Sequence, residues 1–317
     1  MADTHQPSSA PGARLAHLGI TVLERGWLSA NNIVMRADTG SLVVDTGYAT
    51  HAEQTVALIH EALEGCPLER VVNTHLHSDH CGGNAALLRA WPHLRIGIPP
   101  GQAPAVRDWD PVALTYVPTG QLCPRFDYDE LVHPGDRLRI GDLQWTAHAA
   151  PGHDPHAILL HEPNQGILIS GDALWNNGFG VVFPELDGVN AFDEVADTFD
   201  LIEALAPSVV IPGHGPVFQG ADIPVALARA RSRLLQFQRD PAKHRWHALK
   251  VLIKFKMLEL QRVERKELQA WFDCSTYFVR IAQIDREQSP FEILDALLRD
   301  LQQAQALAIT GNWILNQ

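Results

Sequence analysis

The segment Thr74-His-Leu-His-Ser-Asp-His80 places four residues with metal-binding side chains within six positions. It follows the apolar run Arg70-Val-Val-Asn73 and precedes Gly82-Gly83. In an extended loop, residues two apart point the same way, so His75 and His77 can grip one ion while Asp79 and His80 turn toward a second. Three further candidates share a placement. Pro151-Gly152-His153 follows the run Leu143 to Ala147, Gly171-Asp172 follows Ile167 to Ser170, and Pro212-Gly213-His214-Gly215 follows Val209 to Ile211. Each stands just past an apolar run and beside glycine, which permits tight turns and close backbone approach. Strand ends held by a packed sheet place side chains with the precision a metal site requires. A lone histidine is more often an ordinary structural residue, but four such strand ends in one chain are hard to explain by packing.

The elements that must position these residues alternate along the chain. Short β-branched runs (Ser41 to Asp45, Arg70 to Asn73, Leu143 to Ala147, Ala157 to Leu160, Gly166 to Ser170, Ser208 to Ile211) interleave with helical stretches at His51 to Leu63, Asn84 to Ala90 and Phe192 to Leu205. This alternation indicates an α/β class. The Pro-rich stretch Arg95 to Leu131 reads as loops that edge the site. After Pro224 the pattern becomes helical, at Val225 to Phe237, Ala242 to Leu260, Arg265 to Phe272 and Phe291 to Leu307. Ser289-Pro290 marks a helix start, and Ala306 to Leu315 reads as a hairpin. The expected organisation is a disordered tail over residues 1–14, a catalytic domain over 15–225 and a helical domain over 226–317.

Composition restricts the function classes. The formal net charge is -12, and hydrophobic residues make up 46% of the chain, which suits a soluble protein with a large core. That acidity argues against a general binder of phosphate backbones. Residues 241–317 carry 11 Lys and Arg against 9 Asp and Glu, so the helical part is near neutral. The four cysteines form no C-x-x-C pair, which excludes a zinc ribbon and suits a reducing compartment. Cys81 reads as a small buried filler. The N-terminal residues lack the pattern of a signal peptide, and no apolar run reaches the roughly 18 residues of a membrane span. A cytoplasmic protein is expected.

The order H-x-H-x-D-H, downstream His, Gly-Asp and Gly-His resembles the signature of the metallo-β-lactamase fold superfamily, over roughly Leu15 to Val217. The resemblance implies a four-layer αββα sandwich. It also implies a site for two divalent ions. Carried over position by position, His75, His77 and His153 hold the first ion, Asp79, His80 and His214 the second, and Asp172 bridges both. Asp45 and His156 are implied to support the ligands from behind. This donor set suits zinc, with iron or manganese as alternatives because no thiolate selects among them. Such a centre activates water for attack on a carbonyl or phosphorus, with Asp79 and Asp172 at the reaction.

The branch is read from what surrounds the ligands. The metal motifs are similar to those of glyoxalase II and of lactonases. Glyoxalase II enzymes continue the bridging aspartate with a Cys- and Gly-rich segment, whereas Asp172 leads into Ala173-Leu-Trp-Asn-Asn177. Lactonases place a tyrosine where this chain has Trp175. Trp175 and Tyr116, with Trp109 and Phe179, are candidate walls of a substrate pocket. The C-terminal part resembles the winged-helix appendage of some members, expected to cover the site mouth or form a homodimer surface. The reading is a hydrolase of a small-molecule ester, thioester or lactone. The alternative is a nucleic-acid phosphodiesterase on the same metals.

Overall fold

The computed structural model describes residues 11–38, 40–284 and 287–317. The first half runs α1 (Pro11–His17), β1 (Ile20–Leu23), β2 (Asn32–Met35), β3 (Ser41–Val44), α2 (Ala52–Leu63), β4 (Leu68–Val72), α3 (Ser78–Cys81), α4 (Asn84–Ala90), β5 (Arg95–Ile98), α5 (Ala103–Asp108), α6 (Tyr116–Thr119) and β6 (Glu130–Leu131). The second runs β7 (Arg137–Ile140), β8 (Leu143–Ala149), β9 (Ile158–Glu162), β10 (Ile167–Gly171), α7 (Phe183–Leu186), α8 (Phe192–Leu205), β11 (Val209–Pro212), β12 (Phe218–Gln219) and α9 (Asp222–Arg239). The last runs α10 (Pro241–Leu260), β13 (Arg262–Glu264), α11 (Arg265–Cys274), α12 (Thr276–Gln283), α13 (Pro290–Gln303), β14 (Leu307–Thr310) and β15 (Trp313–Asn316).

Strands β1 to β6 form one six-stranded sheet in chain order, and β7 to β12 form a second. Their inner faces meet over one core, where Ile33, Leu42, Val44 and Val72 pack against Trp145, Leu160, Ile169 and Ile211. Helices α2 and α4 cover the outer face of the first sheet through Ile59, Leu63 and Leu87. Helices α8 and α9 cover the second through Phe199, Ile202, Leu227 and Leu234. The central strands are apolar on both sides because both sheet faces are buried. This is the expected αββα sandwich.

Strand direction explains where the site lies. Strands β3 and β4 are parallel, as are β10 and β11, and β8 runs parallel to β10 because each is antiparallel to the intervening β9. All five therefore end at one edge, and the candidate residues follow those ends.

Three expectations need adjustment. Helix α1 begins at Pro11 inside the expected tail, with Arg14 donating to the Gln165 carbonyl and the Ser208 hydroxyl; residues 1–10 lie outside the described residues. Helix α9 spans the expected boundary at 225, and its apolar face, Ile223 to Phe237, is buried with α8. The Pro-rich stretch holds β5, α5, α6 and β6 rather than loops alone.

Helices α10 to α13 enclose a separate core of Leu249, Ile253, Leu268, Phe278, Leu294 and Leu298, which also takes in Val181 and Leu186 of the sandwich. Ser289 caps α13 with a reciprocal Glu292 contact. The terminal hairpin β14–β15 gains β13 as a third strand through β15. A buried pair ties this unit down. Lys256 Nζ donates to the Gly120 carbonyl at 2.7 Å and to Glu259 Oε2 at 2.8 Å, and Tyr48 donates to the same carboxylate at 2.9 Å. Burying each large apolar side chain of the shared core is worth roughly 1.5–3 kcal/mol. Truncation after Asp240 should therefore yield insoluble or thermally destabilised protein. A soluble truncate with an unchanged melting temperature would show that the sandwich does not need α10.

Candidate metal centre

Asp45 ends β3 in the left-handed region at φ 57°, a conformation that short polar side chains tolerate best. The strain is held by the contacts it serves. Its carboxylate accepts from the Thr74 N–H at 2.9 Å, the Thr74 hydroxyl at 2.8 Å and His80 Nδ1 at 2.7 Å. Thr46 N–H in turn donates to the His80 carbonyl at 2.7 Å. The β3 end thus fixes the His75–His80 loop, and the Asp45 bond to Nδ1 aims His80 Nε2 inward.

Three imidazoles converge beside it. His77 Nδ1 lies 3.0 Å from His75 Nε2 and 2.8 Å from His153 Nε2. The rings are held from behind, with His153 Nδ1 donating to the Val181 carbonyl at 2.6 Å and His75 Nδ1 3.1 Å from the Thr74 hydroxyl. On the other side, His214 Nε2 lies 3.1 Å from Asp79 Oδ2. His80 Nε2 is buried without a hydrogen-bond partner among the described residues, 3.3 Å from Asp172 Oδ1 and 3.9 Å from Asp79 Oδ2. Asp172 faces both clusters, Oδ2 lying 3.4 Å from His153 Nε2 and Oδ1 3.7 Å from His214 Nε2. Gly213 makes this approach possible, since a Cβ there would sit 2.3 Å from Asp172 Oδ1.

The donors fit metal ions on geometry and charge. His75, His77 and His153 form one convergent set, and Asp79, His80, Asp172 and His214 another. Four ligands around an ion at about 2.0–2.1 Å have edges of roughly 3.3 Å, close to the nitrogen separations here. Burial, then the neighbouring His80, His77 and His153, hold the His75 pKa well below the imidazole range, so its lone pair is ready. Burial, then His77, lowers His153 to about 4. Burial opposes charge on His80, but Asp172, Asp45 and Asp79 outweigh it and raise its pKa well above the usual value. Burial would likewise raise Asp172, yet His80 and His214 pull it well below the carboxylate range. The carboxylates thus demand a cation at the second set.

The seven proposed ligands and Asp45 come together, but His156 does not join them. It is exposed, against Gly101, because its N–H donates to Asp154 Oδ1 at 2.7 Å and closes a turn that directs its ring outward. Asp154 is the buried group there, with Oδ2 3.8 Å from His77 Nε2. Tyr116 is also displaced from the pocket: it is buried, its hydroxyl donating to the Leu76 carbonyl at 2.8 Å beneath the metal loop. Trp109 packs on Tyr116 and Phe126 away from the cleft. Phe179 packs against Phe199 and Phe237 and lines the neighbouring cavity rather than the cleft itself. Trp175 does line the cleft, and its indole N–H donates to Asp172 Oδ1 at 3.2 Å. Trp27, which the sequence reading missed, stacks on His214 at 5.4 Å and meets Trp175 edge-on at 5.2 Å. Val251, Leu252 and Phe255 of α10 face them, and Thr115, Thr119 and Gln121 complete the wall.

Two packed mixed sheets thus gather imidazoles and carboxylates at one strand-end edge, in two donor sets able to hold metal. Residues 25–214 match the model of the metallo-beta-lactamase superfamily, and the chain belongs to that family. It is 28% identical over 195 residues to a hydroxyacylglutathione hydrolase of Xanthomonas euvesicatoria, covering 62% of this chain and 61% of that protein. The chain spans from 37% to 61% of the length of the curated relatives it matches. Among solved structures it is similar to a metallo-beta-lactamase family protein from Thermus thermophilus, with TM-score 0.56 and 18% identity over 94% of this chain and 99% of that one. A beta-lactamase domain protein from Burkholderia ambifaria gives TM-score 0.56 and 21% identity over 98% and 94%. Both likenesses extend through the C-terminal unit.

Purified, reconstituted protein should bind close to two transition-metal ions per chain; elemental analysis finding at most one would reject the paired site. Asp172→Ala should weaken both ions, and His214→Ala mainly the second, as chelator competition would resolve. Asp45→Asn, which touches no ion but releases His80, should cost about 10–100-fold in affinity at the second set.

Proposed function

We propose that the chain is a dinuclear metal-dependent hydrolase that cleaves an ester, thioester or lactone of a small molecule. The observation that carries this reading is Asp172, whose two oxygens face separate donor sets across one buried carboxylate. We read His75, His77 and His153 as the first ion's ligands, Asp79, His80 and His214 as the second's, and Asp172 as the bridge. Zinc suits the nitrogen and oxygen donors best, with iron or manganese as alternatives. Ions bound there would supply an activated water at neutral pH and polarise the scissile carbonyl.

The chain's own groups have distinct tasks. Asp79 is half-buried at the cleft, and its carboxylate accepts from the attacking water's protons and aligns it. Asp172 is fixed by the Trp175 indole, so the bridge stays in register without a tyrosine. Trp27, Phe183 and Phe255 exclude bulk water and favour an apolar acyl or leaving group. The relatives' named substrate, hydroxyacylglutathione, is a thioester and lies within this range. Glutathione carries two carboxylates, however, and among the described residues no Lys or Arg lines the cleft at the donor sets.

The phosphodiesterase alternative loses support on the same ground, since among the described residues no Lys or Arg stands at the donor sets to meet a nucleic-acid backbone there. Among the described residues no helix is long and apolar enough to cross a membrane. The test is metal-loaded protein assayed on an aryl ester, a thioester, a lactone and a bis-aryl phosphodiester. Metal-dependent turnover of a carbonyl substrate, falling at least about 100-fold in Asp172→Ala, is expected. Turnover of the phosphodiester alone would reverse the ranking, and no metal-dependent turnover would reject the hydrolase reading.

A further inference from the structure

The metal cleft itself has room for only about 90 Å³, but a second cavity of about 510 Å³ adjoins it. Trp27, Trp175, Val181, Val251 and Phe255 line both, so the two adjoin across these shared side chains. Phe179, Leu258 and Leu301 make the larger one apolar. Its polar lining differs in sign from that of the metal cleft, where carboxylates prevail. Arg233 of α9 and Lys250 and Lys254 of α10 stand there against the single carboxylate of Asp300.

These cations are unequally satisfied. Lys254 Nζ donates to the Ala306 carbonyl at 2.7 Å and to Asn316 Oδ1 at 2.6 Å. Lys250 Nζ lies 3.6 Å from Asp300, whose carboxylate also accepts from the Trp246 indole at 2.8 Å. Arg233 has neither a hydrogen bond nor an ion pair among the described residues, although it is half-buried. Its guanidinium lies against Gly178, where a Cβ would come within 2.5 Å of Nη1. Gly178 closes the turn that carries Trp175, through the Trp175 N–H donating to its carbonyl at 2.7 Å. A half-buried cation without a carboxylate, at the end of an apolar cavity, is a place where an anion gains the most.

We propose that this cavity is a substrate subsite for an apolar chain ending in an anionic group, a carboxylate or a phosphate, with Arg233 as the specificity-determining residue. The occupant's scissile group lies at the metals, its apolar stem lies against the shared wall of Trp27, Trp175 and Phe255, and its anionic end meets Arg233 with Lys250 nearby. This rests on the hydrolase reading for what happens at the metals, but the subsite can be tested by binding alone. Charge complementarity and the wall shared with the metal cleft select this occupant over a protein surface.

The probes are decanoate, decyl phosphate and decanol, titrated against zinc-loaded full-length protein by tryptophan fluorescence. Both anions should bind at least about tenfold more tightly than decanol, a difference of about 1.4 kcal/mol. Arg233→Gln should remove that preference, Arg233→Lys should restore part of it, and Lys250→Gln should reduce it less. The tighter anion identifies the head group. Anion affinity that is unchanged in Arg233→Gln would mean the head group sits on the zinc ions and would overturn the proposal. Equal binding of decanol and the anions would overturn it too. Loss of all hydrolysis with the Arg233-dependent binding intact would separate failure of the hydrolase reading from failure of the subsite.

Discussion

The structure depends on an uncompensated charge distribution at the strand ends. Asp45, Asp79 and Asp172 crowd around His80 and His214, while three further imidazoles converge with nitrogens 2.8–3.0 Å apart. Buried carboxylates and lone pairs at such separations repel unless cations lie between them. Among the chain's own groups the response falls on His80, whose pKa the carboxylates lift against the cost of burial. Divalent ions would answer the same demand with two charges each and displace that proton. The site is therefore an arrangement that folding tolerates because binding completes it.

Holding such groups together requires a scaffold whose parts cannot relax independently. The donors follow β4, β8, β10 and β11, strands of two sheets whose inner faces share one core. Cross-links at the edge bind the sheets further: Ala30 N–H donates to the Asp79 carbonyl at 2.9 Å, and Asn31 N–H to the Gly213 carbonyl at 2.7 Å. The β1–β2 connection thus touches a ligand loop from each sheet. The same connection presents Trp27 over His214. A packing device and one wall of the cleft are one segment.

What was legible in the sequence divides along physical lines. The metal-binding candidates were readable because each carries its chemistry in its own side chain and stands after a β-branched run. Asp45 was readable only through the family resemblance. The position of His156 was not readable. Its ring direction is decided by the Asp154 turn, and a turn three residues long can point a side chain either way. Tyr116 failed for a related reason: its place beneath Leu76 is set by short helices in a Pro-rich stretch with no periodicity to follow. Trp27 carried no signal beyond being an aromatic in a loop. Strand β13, only Arg262–Glu264, exists because β15 pairs with it, which local propensity does not reveal.

The C-terminal unit shows how a near-neutral appendage can shape a site without supplying any donor. Helix α10 is apolar on several sides, since Leu249, Ile253 and Met257 face its own core, Val251 and Phe255 face the cleft, and Leu252 touches both. That double role explains why it lacks the single clean stripe of a surface helix. Its placement is set by the Lys256–Glu259–Tyr48 bonds, which are buried and tie α10 to the chain just after Asp45. Tyr48 lies three residues beyond the aspartate that orients His80, so the roof of the cleft and the floor of the metal centre hang from one short segment. Helix α10 borders the cleft without contributing a donor. On the proposed reading, variation along α10 and at Trp27 alters the cleft wall without replacing any metal-binding side chain.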